Sequence, residues 1–424
     1  MTLRISELAA REILDSRGRP TVEAEIALSD GTRVVASVPS GASTGIHEAT
    51  ERRDGDPTRY SGRGVRGAVA AVDGEIADAL IGRELVQRPI DETLRQLDGT
   101  PNKSRLGANA ILAVSLAVAR AGAAATGVPL WEHLADGAPV VLPLPMVNII
   151  SGGLHAGRQL DFQDFLVVPI GVETYAEALE RVVAVHAATG AILEARGLST
   201  LKADEGGFGP ALANNQEALQ ILDAAVEAAG LHPGEDIVYA LDVAATHFFD
   251  ATDRRYHLRS ENARLDAAEL GAYVGELAAA HPIASVEDPF AEDDWDAWRS
   301  FTARFGDRLQ VVGDDLFTTS LERLNRGIGE RSANAILIKM NQIGTITETL
   351  EVLARAKEAG FRTVVSARSG ETEDTALADL AVATSAGQIK IGSVTQTDRL
   401  AKHNQLLRIE QRLGHDAVLA QWNR

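Results

Sequence analysis

The sequence contains no cysteine and has a formal net charge of −19 over 424 residues. The lack of cysteine excludes disulfide bonds, thiolate zinc sites and a cysteine nucleophile. The shortage of basic residues argues against nucleic acid or an anionic membrane as a partner, because both attract positive charge. If the substrate is an anion, the positive charge that binds it must therefore be concentrated at one place in the fold.

Long apolar segments are also missing. The first 30 residues hold no basic-then-apolar signal pattern, and no run of 18 apolar residues occurs anywhere. Apolar residues make up 45% of the chain and charged residues 24%, which is typical of a globular protein. We expect a cytoplasmic protein with no membrane span, and the length predicts two domains or a small domain beside a large α/β barrel.

The first third of the chain changes from a strand-like pattern to a helical pattern. Apolar and polar residues alternate over residues 4–40 with turn signals at residues 16–18 and 30–31, which predicts a short antiparallel meander. Alanine-rich helical patterns follow over about residues 65–134. The segment 137–145 opens on a glycine and holds three prolines, so it is typical of a linker.

Short apolar runs alternate with helical patterns in the second half, and this alternation predicts parallel βαβ units. The runs cover residues 237–244, 283–290, 309–316, 335–340, 363–366 and 389–392. From Glu287 onwards, the polar residues at or near the ends of these runs are spaced by 27, 25, 27 and 24 residues. One unit of an eightfold barrel needs about that many, since the whole barrel uses roughly 250.

Three acids, Asp242, Glu287 and Asp314, end consecutive predicted strands. One such acid is more often a helix N-cap or a loop residue, but charged residues at successive barrel strand ends are typical of catalysis. Three converging carboxylates would repel one another unless a cation lies among them. Oxygen ligands favour a hard ion, with Mg²⁺ preferred over Ca²⁺ or Mn²⁺.

Positive charge comes with the later strands. Lys339 and Lys390 end two of them, and a partly buried lysine beside a metal has a depressed pKa and can act as a general base. Arg368 and Ser369 offer a guanidinium fork and a hydroxyl for a phosphate or carboxylate. These residues predict a metal-assisted reaction on a small anion with proton abstraction by a lysine, but they do not name the substrate.

Two glycine-rich patches, residues 40–45 and 204–207, lie outside the barrel rhythm. The first consists of small residues that suit a mobile lid, and it is not a P-loop because no Gly-Lys-Ser/Thr follows. The second places two acids on a turn. Each patch alone is more often a plain turn than a functional loop.

Motifs spread along the entire chain resemble those of the enolase family. They are LDSRGRPTVE (14–23), PSGASTG (39–45), NKSRLGANAI (102–111), HAG (155–157), DEGGF (204–208), LDVAA (241–245), EDPF (287–290), GDDL (313–316), IKMNQIG (338–344), RSGETEDT (368–375), GQIK (387–390) and RLAKHNQLLRIE (399–410).

The resemblance implies an α/β fold of the enolase superfamily, with an N-terminal α+β lid domain at residues 1–134 and a modified TIM barrel of ββαα(βα)6 type at residues 139–424. It implies a lyase of the phosphopyruvate hydratase type, which reversibly dehydrates 2-phosphoglycerate to phosphoenolpyruvate in glycolysis. It also implies two Mg²⁺ per active site, the second bridged by substrate. Family members usually form homodimers, or octamers in many bacteria.

Site roles follow from the resemblance residue by residue. Lys339 would remove the C2 proton, Glu205 would assist departure of the C3 hydroxyl, and Ser43 on the lid loop would help hold the second Mg²⁺. The first Mg²⁺ would be held by Asp242, Glu287 and Asp314. Enolase-superfamily sites are a known example of a lysine or histidine base beside Mg²⁺, so this pattern is taken from the family.

The remaining roles concern the substrate. Lys390 would meet its carboxylate, while Arg368 and Ser369 would bind its phosphate. The closed pocket would be lined by His155, Gln163 and Asp164. Hydroxide is a poor leaving group, so Glu205 must carry a proton at the moment when the C3 hydroxyl departs. We therefore expect burial or a neighbouring carboxylate to raise the pKa of Glu205. The acids of residues 371–374 are expected to start the next helix.

The chain departs from the family pattern at several positions. The usual Ser-His-Arg-Ser-Gly has Ala367, and the usual Gln-Glu-Phe has the shorter Asp164, whose carboxylate is set back from the pocket. The usual Asn-Gly-Gly begins with Ser151, and the usual glycine before Asp-Glu-Gly-Gly is Ala203.

Three functions remain open at this point. The first is an ordinary enolase. The second is a diverged paralogue such as carboxyphosphonoenolpyruvate synthase of phosphinothricin biosynthesis, for which the space left at Ala367 and Asp164 could take a bulkier group. The third is a non-catalytic homologue that binds a protein partner, against which the intact metal carboxylates and lysines count.

Overall fold

The computed structural model describes residues 3–42 and 44–422 of the chain. Ser43, expected to help hold the second Mg²⁺, lies outside the described residues. The N-terminal part opens with a three-stranded antiparallel sheet in the order β1–β2–β3. Its strands are β1 (Ile5–Leu14), β2 (Pro20–Leu28) and β3 (Arg33–Ser37). The predicted meander is confirmed.

Five helices follow this sheet in the chain. They are α1 (Arg66–Ala71), α2 (Ala77–Leu80), α3 (Gln87–Asp98), α4 (Ala108–Thr126) and α5 (Leu130–Ala135). Of these, α1, α2 and α4 contact strands of the sheet. Helix α4 contacts β2 and β3, and its many alanines let it lie close to their side chains. By length and composition α4 could cross a membrane, but 78% of its apolar window is buried inside the protein. Such burial is typical of a core helix in a globular domain.

The second part is a closed barrel of eight strands. The barrel strands in chain order are β4 (Leu144–Ser151), β5 (Asp164–Pro169), β6 (Ile237–Asp242), β10 (Ile283–Glu287), β11 (Gln310–Gly313), β12 (Ala335–Ile338), β13 (Arg362–Ser366) and β14 (Gly387–Gly392). A separate small sheet lies between β6 and β10 in the chain and consists of β7 (Phe249–Asp250), β8 (Arg255–Leu258) and β9 (Ala263–Leu265).

Helices cover the outside of the barrel. They are α6 (Tyr175–Ala195), α7 (Asn215–Ala228), α8 (Ala267–Ala280), α9 (Trp295–Phe305), α10 (Leu321–Glu330), α11 (Met340–Ile343), α12 (Ile346–Glu358), α13 (Ala376–Ala383) and α14 (Thr397–Leu413). Strand β5 runs antiparallel to both β4 and β6, whereas the other barrel pairs are parallel. Two strands, two helices and six βα units result, so the predicted ββαα(βα)6 architecture is confirmed.

Local sequence explains the covered strands and several helix starts. Strands β6, β11 and β12 are buried at every residue, because helices cover the outer face and side chains fill the barrel interior. Helix α12 begins after Thr345, whose side chain accepts the N–H of Glu348. Helix α8 begins with a capping box between Asp266 and Glu269.

The register of the strands brings polar ends together at one barrel mouth. Asp242 is paired with Glu287, and Ser366 is paired with Lys390. Because β5 runs in the opposite direction, its first residue lies at this mouth, where Asp164 is paired with Asp242. The carboxyl ends of parallel barrel strands form the catalytic face in barrel enzymes.

The loop after β13 differs from the expectation. Residues 371–374 do not begin a helix, since α13 starts at Ala376. Glu371 is buried and forms an ion pair with Lys402 at 2.9 Å, and its carboxylate accepts the N–H of Arg368. Asp374 accepts the N–H of Ala376 and pairs with Arg120. Ion pairs with the buried Lys402 and the partly buried Arg120, and not the helix dipole, therefore account for Glu371 and Asp374.

Replacing Lys402 tests how strongly this ion pair holds the loop. Lys402 is fully buried, so Lys402→Met leaves Glu371 as a buried charge without its partner. We expect the variant to lose about 3 kcal/mol or more of stability, seen as a lower midpoint in urea unfolding. Lys357→Met, at an exposed lysine, is the matched control. Equal midpoints for the two variants would contradict this account.

Candidate active site

The barrel mouth brings together the predicted carboxylates and lysines. The Lys390 Nζ lies 2.7 Å from a carboxylate oxygen of Asp242 and 2.7 Å from one of Glu287. The Lys339 Nζ lies 2.5 Å from Asp314 Oδ2. All five side chains are buried. The ammonium groups thus offset carboxylates that would otherwise repel one another.

These ion pairs determine the protonation of the lysines. Burial alone would lower the pKa of Lys339, but the carboxylates of Asp314 and Glu287 together outweigh burial and raise it. Burial acts in the same way on Lys390, whose pKa is raised by Asp242 and Glu287. The depressed pKa expected for Lys339 concerned a lysine beside a metal ion, whereas in this structure its partner is Asp314, so that expectation stays a prediction.

The acids at the mouth have the chemistry of a magnesium site. Glu287 Oε1 is buried and has no hydrogen-bond partner among the described residues. Asp314 Oδ1 accepts a hydrogen bond of 2.8 Å from Gln342. One oxygen each from Asp288, Asp314 and Asp315 lie within 4.8 Å of one another, and this close group does not include Asp242 or Glu287. Asp288 accepts the N–H groups of Asp314 and Asp315, which fixes this turn. Carboxylate oxygens are the ligands that Mg²⁺ prefers, so the donor types of Asp242, Glu287 and Asp314 fit this ion.

A histidine lies between two acids on the other side of the mouth. His155 Nδ1 is 2.9 Å from Asp164 Oδ2, and His155 Nε2 is 3.7 Å from Glu205 Oε1. Burial alone would lower the pKa of His155, but the two carboxylates outweigh it and raise the pKa from its ordinary value of 6.5 to about 9. His155 therefore carries a proton at neutral pH.

The same arrangement changes the expectation for Glu205. Burial would raise the pKa of this carboxyl, but His155, followed by Arg399 and Lys390, lowers it below its usual value. The expected raised pKa of Glu205 is thus wrong for this state of the site. The proton is held on the neighbouring imidazole, so that a proton source still lies beside the carboxylate.

The predicted phosphate-binding pair occupies the side of the mouth nearest the lid. Both terminal nitrogens of Arg368 donate to the carboxylate of Glu48, at 2.9 and 3.2 Å. Ser369 Oγ accepts hydrogen bonds from Arg17 and from the N–H of Ala42. Both partners of Ser369 belong to the N-terminal part, so this part and the barrel share the corner.

Two more predicted residues are placed at the mouth. Gln163 donates to Asp242 Oδ2 at 3.1 Å, so it lies among the proposed metal ligands. Ala367 is buried and packs with the hydrophobic core, so the alanine serves packing in this loop. A surface pocket of about 520 Å³ opens beside His155 and is also lined by Ala203 and Asp204.

Several residues of the site had no role predicted from the sequence. Glu48 and Asn341 both accept hydrogen bonds from Arg368. Arg399 is fully buried and donates to the carbonyl groups of Arg368 and Ser369. The motifs IKMNQIG and RLAKHNQLLRIE held Asn341 and Arg399, but motif membership alone does not say which side chain each one contacts.

Two family models match almost the whole chain, and both describe domains of the same family. Residues 139–423 match the family model "Enolase, C-terminal TIM barrel domain", and residues 5–134 match "Enolase, N-terminal domain". A protein named Enolase from Acidothermus cellulolyticus is 55% identical over 417 residues, which is 98% of this chain and 96% of the relative. A protein named Enolase from Mycobacteroides abscessus is 53% identical with the same coverage.

Titration of His155 tests the charge arrangement around it. Among the ten histidines of the chain, the His155 signal can be identified by NMR through its loss in His155→Gln. We expect its pKa to be about 9, and lower in Asp164→Asn, which removes one of the two carboxylate charges. The stability gained from charged His155 should be full below pH 6.5 and disappear as the pH rises through about 9. A pKa at or below 6.5 would contradict this arrangement.

Proposed function

The chain belongs to the enolase family, and from this membership we propose that it is an enolase, which reversibly dehydrates 2-phosphoglycerate to phosphoenolpyruvate in glycolysis. It is accordingly a lyase. The observation that carries the proposal is that one barrel mouth holds Lys339, Lys390 and the acids Asp242, Glu287 and Asp314, with a protonated His155 beside Glu205. We also propose residues 1–134 and 139–424 as its two domains.

Membership of this family implies that the enzyme uses Mg²⁺. We propose that Asp242, Glu287 and Asp314 hold the first of two ions, and that Ser43 helps to hold the second beside the substrate. Bound Mg²⁺ would stabilise the second negative charge that develops on the substrate carboxylate when the C2 proton leaves. The unpartnered oxygen of Glu287 supports this assignment.

Lys339 is proposed to be the base that removes the C2 proton. While it pairs with Asp314 its amine stays protonated, so it is not yet a base. Once Asp314 turns to another cation, the burial of Lys339 would dominate and lower its pKa. Proton abstraction by Lys339 would therefore depend on the binding of Asp314 to another cation. Lys390 would remain charged and would bind the substrate carboxylate.

Glu205 is proposed to protonate the departing C3 hydroxyl. Its carboxylate is ionised while His155 holds the nearby proton, and the imidazole lies 3.7 Å from it. A small approach of the two groups would let the proton pass from His155 Nε2 to Glu205 Oε1 and on to the leaving oxygen. Asp164 keeps the imidazole oriented, while Gln163 completes this wall of the pocket.

Arg368 and Ser369 are proposed to bind the substrate phosphate. Arg368 now faces Glu48, so an arriving phosphate must share or replace that carboxylate. Since the chain has a net charge of −19, this buried guanidinium and the two lysines supply the local positive charge that an anionic substrate needs. We further propose a cytoplasmic location and a homodimeric or octameric assembly, as is usual in the family.

The two other functions now serve as outcomes of the test. Identity of 53–55% over almost the full chain to proteins named Enolase favours dehydration over a specialised paralogue.

An absorbance assay decides among the three functions. Purified protein with Mg²⁺ and 2-phosphoglycerate should form the enol product, which absorbs in the ultraviolet. Lys339→Ala should lower the rate by about 10²–10⁴ and abolish exchange of the C2 proton with solvent. Glu205→Gln should keep the exchange but lose most of the product, because the hydroxyl is no longer protonated. Lys357→Ala, at an exposed lysine, should have no effect.

The wild-type protein alone can contradict the proposal. Exchange of the C2 proton without product would identify a paralogue that retains only the first half of the reaction. If the protein shows no exchange of the C2 proton and forms no product, the result would favour the non-catalytic homologue.

A further inference from the structure

We infer that Ser151 and Asn148 are positioning residues that hold the short carboxylate of Asp164 against His155. The inference rests on the proposed function and deepens it, because it concerns how the leaving-group side of the pocket is built. Family resemblance gave neither residue a role. Both act through Asp164 and not on the substrate itself.

The hydrogen bonds around Asp164 are all internal to the protein. Ser151 Oγ donates to Asp164 Oδ1 at 2.9 Å, and Asn148 Nδ2 donates to the same oxygen and, at 2.8 Å, to Ser151 Oγ. The other carboxylate oxygen faces His155 Nδ1 at 2.9 Å. Asn148, Ser151 and Asp164 are each 0% exposed, so water does not compete for these bonds.

An irregularity in β4 makes this network possible. Residues three apart on a regular strand point to opposite faces of the sheet. The β4–β5 register shifts between Asn148 and Ile150, and Ser151 is paired with Asp164. A bulge of this kind re-aims side chains, so Asn148 and Ser151 both reach the same carboxylate.

The network has little room for a longer acid. A Cβ placed on Gly207 would lie 2.9 Å from both Asn148 Oδ1 and Ser151 Oγ, so the Glu205 loop packs directly against these side chains. The N–H of Ser151 also donates to the carbonyl of Phe208 in that loop. An extra methylene at position 164 would push the carboxylate out of this arrangement or displace His155.

Two departures from the usual family sequence therefore belong to the same local arrangement. Ser151 and Asp164 both differ from the usual family pattern, and the structure places them in direct contact. The hydroxyl of Ser151 holds the shortened carboxylate where it can still orient the imidazole. Restoring a glutamate at position 164 alone should consequently lower the rate of dehydration.

A double-mutant cycle tests the inference. Ser151→Ala should lower kcat about 10-fold, as expected for loss of a hydrogen bond to a charged group, with little change in KM. In an Asp164→Asn background the same change should cost only about 2-fold, since no charged carboxylate remains to be held. Ser332→Ala, at another fully buried serine, is the control and should leave activity unchanged.

Two further variants separate positioning from a merely structural role. Asp164→Glu alone should lower kcat, and Ser151→Ala/Asp164→Glu should recover part of the loss, because the missing hydroxyl leaves space for the methylene. Equal costs of Ser151→Ala in both backgrounds would overturn the inference, and so would an Asp164→Glu variant more active than the wild type.

Failure of the proposed reaction can be distinguished from failure of the positioning role. If the wild type forms no phosphoenolpyruvate, the proposed reaction is wrong, and the positioning is read from the His155 imidazole signals by NMR. A His155 signal altered by Ser151→Ala but not by Ser332→Ala supports the positioning role. A signal unchanged in both variants overturns it.

Discussion

Carboxylates buried at the mouth of the barrel can stay charged only if cations are buried beside them. Asp242, Glu287 and Asp314 are all buried, and Lys390 and Lys339 lie within ion-pair distance of them. Breaking one partner of such a set leaves an uncompensated charge, which is far more costly than the pair itself. The strand ends that meet here therefore carry the same charges that the proposed chemistry would use.

This constraint also links the two parts of the chain. Glu48 and Arg17 come from the N-terminal part, whereas Arg368 and Ser369 come from the barrel, and they meet in one corner. In this corner Arg368 has a protein carboxylate where a substrate phosphate is expected. Under the proposed function, a substrate phosphate would meet Arg368 at the guanidinium that now contacts Glu48.

Much of the architecture could be predicted because it depends on local patterns. The meander at the start, the alternating strands and helices, and the acids and lysines at strand ends all follow from periodicity and spacing. The helix start after β13 was predicted wrongly, since Glu371 faces Lys402, which lies on α14. The pKa direction of Glu205 was also wrong, because it depends on the distance to His155. The contacts of Asn148 and Ser151 depend on a register shift that no periodicity indicates.

Binding of Mn²⁺ in place of Mg²⁺, followed by electron paramagnetic resonance, tests most directly the claim that the acids at the barrel mouth form a metal site. In the absence of substrate, the account predicts saturable Mn²⁺ binding that Mg²⁺ displaces and that Glu287→Gln greatly weakens. Thermal stability of Glu287→Gln should be measured alongside, to show that the barrel remains folded. Saturable binding that is equally strong in the folded Glu287→Gln variant, or no saturable binding by the wild type, would contradict the account.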